Sequence, residues 1–179
     1  MNILTLLTLL QTAYVAEFQY AYQQQLDRFE AVFPEIAFRM PGETFQDIYV
    51  VDFVGRTGAD NGAVEVSLNE GAYVGGYTMS YGDLTLEVGP VSWESIAFNL
   101  TPAPPEVVGF ETWFAKWVDL EGARRPMDSM MSQVIHSAVV ERGRITVDFG
   151  TAPVEAATEL LDLFIQNGVL VARIDSGRQ

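Results

Sequence analysis

Nine apolar residues near the start of the chain recur at steps of three or four: Ile3, Leu7, Leu10, Tyr14, Phe18, Tyr22, Leu26, Phe29 and Phe33. That spacing is one continuous stripe on a helix and has no counterpart on a strand. Gln11, Gln19, Gln23, Asp27 and Glu30 fall away from it, and Pro34 bars its continuation. The pattern predicts a helix over about 3–32, roughly 45 Å long at 1.5 Å per residue. An element of that length needs a sheet or other helices to cover its stripe, so it constrains the rest of the fold.

The stripe is not read as a targeting segment. Met1–Ala16 holds no charged side chain, so no basic region precedes the leucines, and Tyr14 and Val15 adjoin Ala16 where small residues are wanted. A membrane span needs about 20 apolar residues, whereas the charge-free stretch ends at Glu17 and contains Gln11 and threonines. The expectation is a chain with no membrane span, acting in the cytoplasm.

Beyond Gln46 the period changes to two. Asp47–Val54 and Ala63–Leu68 read as strands, with 58–62 as a loop carrying an Asn61–Gly62 turn. Tyr73–Tyr81 and Leu84–Val88 read as a hairpin across Gly82–Asp83, and Val91–Leu100 as a further strand. Three prolines within 101–105 make an extended connection inside one domain spanning 1–179. Phe110, Trp113, Phe114 and Trp117 predict a short amphipathic helix. Gln133–Glu141 and Arg144–Phe149 form a second hairpin about Arg142–Gly143. A helix follows, capped by Thr151 with Pro153 in its first turn and ended at Asn167–Gly168. Val169–Ile174 closes the chain, and its strand–helix–strand order suits a crossover between parallel strands. The expected class is α+β: a mostly antiparallel or mixed sheet of seven or eight strands, packed with one long helix and two short ones.

Composition narrows the chemistry. With no cysteine, a thiol nucleophile, a disulfide scaffold and cysteine-ligated metal are excluded, and the single His136 excludes a multi-histidine centre. If Glu141 pairs with Arg144, then Ser137 faces Asp148 and His136 faces Phe149. His136 and Ser137 then point to opposite sides of the sheet and cannot act as base and nucleophile. His136 is expected to be a core histidine. Asp47 with Asp52, or Glu65 with Glu70, lacks any context marking a catalytic pair. Asp60-Asn61-Gly62 lacks the spacing of a calcium loop, and 71–76 lacks the lysine and the spacing of a phosphate cradle. Arg124–Arg125 reads as a solvated pair. No cofactor or metal is expected.

The charge is −14, and its distribution is uneven. Residues 40–122 carry thirteen acids against Arg56 and Lys116 alone. Direct nucleic-acid binding is disfavoured, because phosphate neutralisation needs clustered Lys and Arg. A basic protein partner suits the charge. The sharpest concentration is Glu106, Glu111, Trp117, Asp119, Glu121 and Asp128 on and around the aromatic helix, which reads as a docking site for such a partner. The expected function is a non-enzymatic acidic binder or inhibitor, a profile shared in type by immunity proteins and phage-encoded inhibitors. Two alternatives stand beside it. One is an assembly subunit of a phage particle or secretion machine, self-associating through the N-terminal helix. The other is an enzyme or small-molecule binder with a sheet pocket lined by Tyr73, Tyr77 and Trp93.

Overall fold

The computed structural model describes residues 1–58, 60–66, 76–126 and 129–176. Helix α1 (Ile3–Arg28) starts at Asn2, whose side chain accepts from the Thr5 amide at 2.9 Å. Ile3, Leu6, Leu7, Leu10, Tyr14 and Phe18 are buried, so the predicted stripe is core up to Phe18. Past that point it leaves the core: Leu26 is 44% exposed while its neighbour Gln25 is buried.

The helix stops four residues short of expectation. Phe29 turns to extended backbone and lays its ring where Gly55 has no side chain. The chain then enters strand β1 (Ala31–Arg39), which was not anticipated. β1 is an edge strand paired only with β2 (Ile48–Thr57), so the missing N–H of Pro34 is tolerated there. Strand β3 (Asp60–Val64) completes a three-stranded antiparallel sheet. Asn61 and Gly62 lie inside β3, opposite Arg56 and Gly55, so the reversal falls earlier than the expected turn.

The second sheet has six strands. Its order is β4 (Tyr77–Tyr81), β5 (Leu84–Val88), β9 (Val171–Ser176), β6 (Ile96–Thr101), β8 (Arg144–Asp148) and β7 (Ser137–Glu141). Both hairpins take their predicted registers, Tyr81 opposite Leu84 and Glu141 opposite Arg144. The strand–helix–strand unit joins β8 to β9 through α3 (Val154–Gln166), but β6 lies between those two strands and runs against both. The fold is therefore α+β, with nine strands in two sheets among the described residues where a single sheet of seven or eight was expected.

Helix α2 (Phe110–Val118) docks on α3 by its indoles. Trp113 Nε1 donates to the Ala156 carbonyl at 2.9 Å and Trp117 Nε1 to the Glu159 carboxylate at 2.9 Å. Asn167, at the end of α3, holds the proline-rich connection by accepting from the Val108 amide and donating to its carbonyl. Thr151 does not cap α3, since its hydroxyl is turned toward Glu35. No helix among the described residues is long and apolar enough to cross a membrane.

The two sheets meet along one seam. Thr44–Gln46 pair with the outer edge of β7, and beyond a kink at Asp47 the Val50 amide donates to the His136 carbonyl at 2.8 Å. One residue earlier, the Ile135 amide donates to the Trp117 carbonyl at the end of α2, at 3.0 Å. Residues 135 and 136 thus tie α2 to β2.

The Phe29–Gly55 contact yields the first prediction. A methyl group at position 55 overlaps the Phe29 ring, so Gly55→Ala should cost about 1–3 kcal/mol in denaturant unfolding. Adding Phe29→Ala should then cost less than it does alone. Additive losses would show that the ring and Gly55 do not share this space.

Candidate functional site

Two arrangements are candidates, one open to solvent and one enclosed. The open one flanks α2. Glu106 and Glu111 line a cleft of about 300 Å³ with Gln46, Val107, Phe110 and Val140. Asp119 and Glu121 line a second, of about 420 Å³, with Arg39, Asp47, Ile48, Phe114 and Val118. Gln46 belongs to the first cleft and Asp47 to the second, so the two follow one another along a furrow between α2 and the seam strand. Glu106, Glu111 and Glu121 are exposed, and none has an ion-pair partner among the described residues. Asp119 is tied into its own turn, accepting from the Ala123 and Arg124 amides at 3.0 and 2.8 Å. Arg39 is the only base among the described residues of either lining.

One residue proposed from the sequence, Trp117, does not join this furrow. Trp117 is buried at 4% exposure, with the Arg124 guanidinium stacked on its ring at 3.9 Å and the Lys116 ammonium at 4.7 Å. Its apolar surface is spent inside the molecule, as the i, i+3, i+4, i+7 spacing of a core-facing helix requires. Asp128 lies outside the described residues. Of the aromatics read as lining a sheet pocket, Tyr77 is half exposed on an edge strand, Trp93 is wholly buried and donates to the Gly150 carbonyl, and Tyr73 is outside the described residues. Arg124 is half-buried, not a freely solvated member of a pair.

The enclosed arrangement surrounds His136. The ring is 1% exposed, as expected of a core histidine, but its neighbours are charged. Nε2 lies 3.0 Å from Glu35 Oε1, and Nδ1 lies 3.3 Å from Asp52 Oδ1 without a hydrogen bond. Glu35 also accepts from the Thr151 hydroxyl and the Ser132 amide. Asp52 accepts from the Tyr14 hydroxyl at 2.6 Å and from the Val66 amide. Asp148, on β8, accepts from the Gly150 amide at 2.9 Å and adds its charge nearby.

Local backbone places these groups. In the β1–β2 register Glu35 stands opposite Asp52, between the pairs Pro34–Phe53 and Ile36–Val51. Its φ of +51° interrupts the ladder there. That conformation costs a non-glycine residue on the order of 1–3 kcal/mol, and here it accompanies the side chain's contact with His136. Gly150 has φ +46°, and any Cβ there would overlap the imidazole.

Protonation follows from burial against pairing. Burial alone would lower the His136 pKa, but the Glu35 hydrogen bond and the charges of Asp148, Asp52 and Glu35 raise it to about 9. Burial raises Asp52 to about 6, against the pull of His136 and the donations of Tyr14 and Val66. Burial likewise raises Asp148 to about 7. Glu35 is the opposite case: burial pushes it up, but His136, Thr151 and Ser132 outweigh that and hold it below its ordinary 4.5. Burial, then Asp52, drives the Tyr14 hydroxyl well above 10.0.

In the sequence Asp52 bears no mark of a catalytic pair and Glu35 none at all, while Tyr14, Asp148 and Thr151 read only as a core position, a strand position and a helix cap. One signal was available for Asp52, the lone charge inside Ile48–Val54. The described clefts lie elsewhere, so this cluster has the chemistry of an acid–base site without an opening to a substrate among the described residues. No group of three or more His, Asp or Glu there could hold a metal. Comparison with protein-family models, curated proteins and solved structures finds no match to this chain.

The cluster gives an unusual pH dependence. Asp52, Asp148 and His136 bind protons more tightly folded than unfolded, so their stabilisation is complete below their unfolded values. It is lost as pH rises through about 6, 7 and 9. Glu35 works oppositely, losing its contribution as pH falls through its lowered value. Unfolding free energy should therefore be highest near pH 4 and fall toward pH 9, and Asp52→Asn should flatten the fall between about 4 and 6. A wild-type curve that rises over this range would contradict the assignment. Gly150→Ala should cost about 1–3 kcal/mol by crowding the ring.

Proposed function

We propose that the protein is a non-enzymatic acidic binder that docks a basic protein segment in the furrow beside α2, in the manner of an inhibitor or immunity protein acting in the cytoplasm. The supporting observation is the pairing of unneutralised carboxylates with apolar lining. Glu106, Glu111, Asp119 and Glu121 stand along a furrow also lined by Ile48, Phe110, Phe114 and Val118. A partner carrying Lys or Arg around an apolar side chain would match both features, with steering from the charges and binding energy from the buried apolar contact. The same charge disfavours nucleic-acid phosphates.

The test uses a nonapeptide of arginine and leucine residues, titrated into the protein and followed by amide NMR at low and at 0.3 M salt. The reading predicts shifts concentrated at Gln46, Glu106, Glu111, Val118 and Glu121, weakening steeply with salt. The triple variant Glu106→Gln, Glu111→Gln, Glu121→Gln should weaken binding at least tenfold. Shifts scattered equally over Glu17, Asp83, Glu87 and Asp162 would overturn the reading.

A second reading rests on α1, whose outer face leaves Leu4, Leu9, Tyr20 and Leu26 exposed at 44–63%. Self-association through that face would suit an assembly subunit. Light scattering separates the two, since a monomer at 0.1 mM argues against the assembly role.

A further inference from the structure

His136 lies where four elements converge, and each supplies an ionisable group toward it. Glu35 comes from β1, Asp52 from β2, Tyr14 from α1 and Asp148 from β8. Glu94, in the turn before β6, acts on Asp148, and Glu65, after β3, acts on Asp52. The first two of these groups belong to the three-stranded sheet, whereas His136 leads into β7 of the six-stranded sheet. The imidazole therefore joins the sheets by charge, beside the backbone bond from Val50.

The joint works only with two protons on the ring. Glu35 and Asp52 approach opposite nitrogens, so an imidazolium hydrogen-bonds Glu35 through Nε2 and carries its second proton on Nδ1, in charge contact with Asp52 at 3.3 Å. A neutral imidazole has a single N–H, so one carboxylate would face a nitrogen lone pair at 3.0 or 3.3 Å. Side-chain exposures of 1%, 0% and 3% for His136, Glu35 and Asp52 leave little room for water to relieve that repulsion.

We propose that protonated His136 is a latch holding the three-stranded sheet against the six-stranded sheet, and that loss of its proton frees β1–β3 and displaces one wall of the furrow beside α2. Arg39, Asp47 and Ile48, from the β1–β2 end, form that wall, while Phe114, Val118 and Asp119 form the other. Residues 135 and 136 are bonded to the two walls in turn. The latch stands whether or not the furrow binds a partner.

The single histidine makes the test direct, because its ring nitrogens give the only imidazole signals in the chain. Ring ¹⁵N shifts are followed from pH 5.5 to 10.5 in the full-length protein, together with the methyl resonances of both sheets. The latch predicts that both ring nitrogens stay protonated at pH 7. At higher pH the Val50, Val51 and Val54 methyls should shift and broaden with the ring's own midpoint, while Val88 and Ile174 hold still. A ring that is neutral at pH 7, or methyls of both sheets moving together, would overturn it. Asp52→Asn should lower the ring's midpoint by at least one pH unit, and an unchanged midpoint would also overturn it. His136→Gln, where it folds, should show the high-pH methyl positions at every pH, and wild-type positions would count against the latch. Where it does not fold, the wild-type titration decides.

Discussion

A cation enclosed between two carboxylates organises this molecule. Removing Glu35, Asp52 and His136 from water costs several kcal/mol for each ion, and that cost is recovered only while the charges stay close and hydrogen-bonded. The surroundings meet that demand. Thr151, Ser132, Tyr14 and Val66 donate to the carboxylates, and Gly150 leaves space for the ring. The left-handed backbone at Glu35 is part of the same arrangement. Around it, the apolar core is continuous from α1 through both sheets to α2 and α3.

Some of the chain's acids gather in the enclosed cluster and others along the open furrow. Acids with raised or lowered pKa values sit at the junction of the sheets, where burial and pairing compete. Glu106, Glu111 and Glu121 beside α2 stay exposed, where salt screens their field. Residues 44–50 touch both regions, which is the route by which the proposed latch would reach the surface.

Much of the fold could be read from local pattern. The 137–148 hairpin was legible because a two-residue turn at Arg142–Gly143 pins a register that alternation then propagates, and α2 was legible from its four aromatics. The end of α1 was not. Phe29 and Phe33 continue the helical spacing, yet the Phe29 ring finds its place over Gly55, twenty-six residues away, a contact no local window contains. Thr151 looked like a cap for the same reason, its real partner being Glu35. Of the acids named from the sequence, Glu106, Glu111 and Glu121 stand exposed and Asp119 half-buried beside α2, a placement that follows from local charge and helix pattern alone. Trp117 was misplaced because an aromatic on an amphipathic helix faces whichever layer covers it, here α3 and Arg124. Tyr14, Glu35, Asp52 and His136 come together across up to 122 residues of chain, and only the strand opposite decides that Asp52 is buried beside a histidine.

The central claim is that His136 and Asp52 interact as charges inside the protein. A double-mutant cycle on unfolding free energy, built from His136→Gln, Asp52→Asn and the pair, measures this directly. The account predicts a favourable coupling of about 1–3 kcal/mol at pH 7 that vanishes once the ring is deprotonated above pH 10. Additive effects at pH 7, or a coupling unchanged at pH 10, would contradict it.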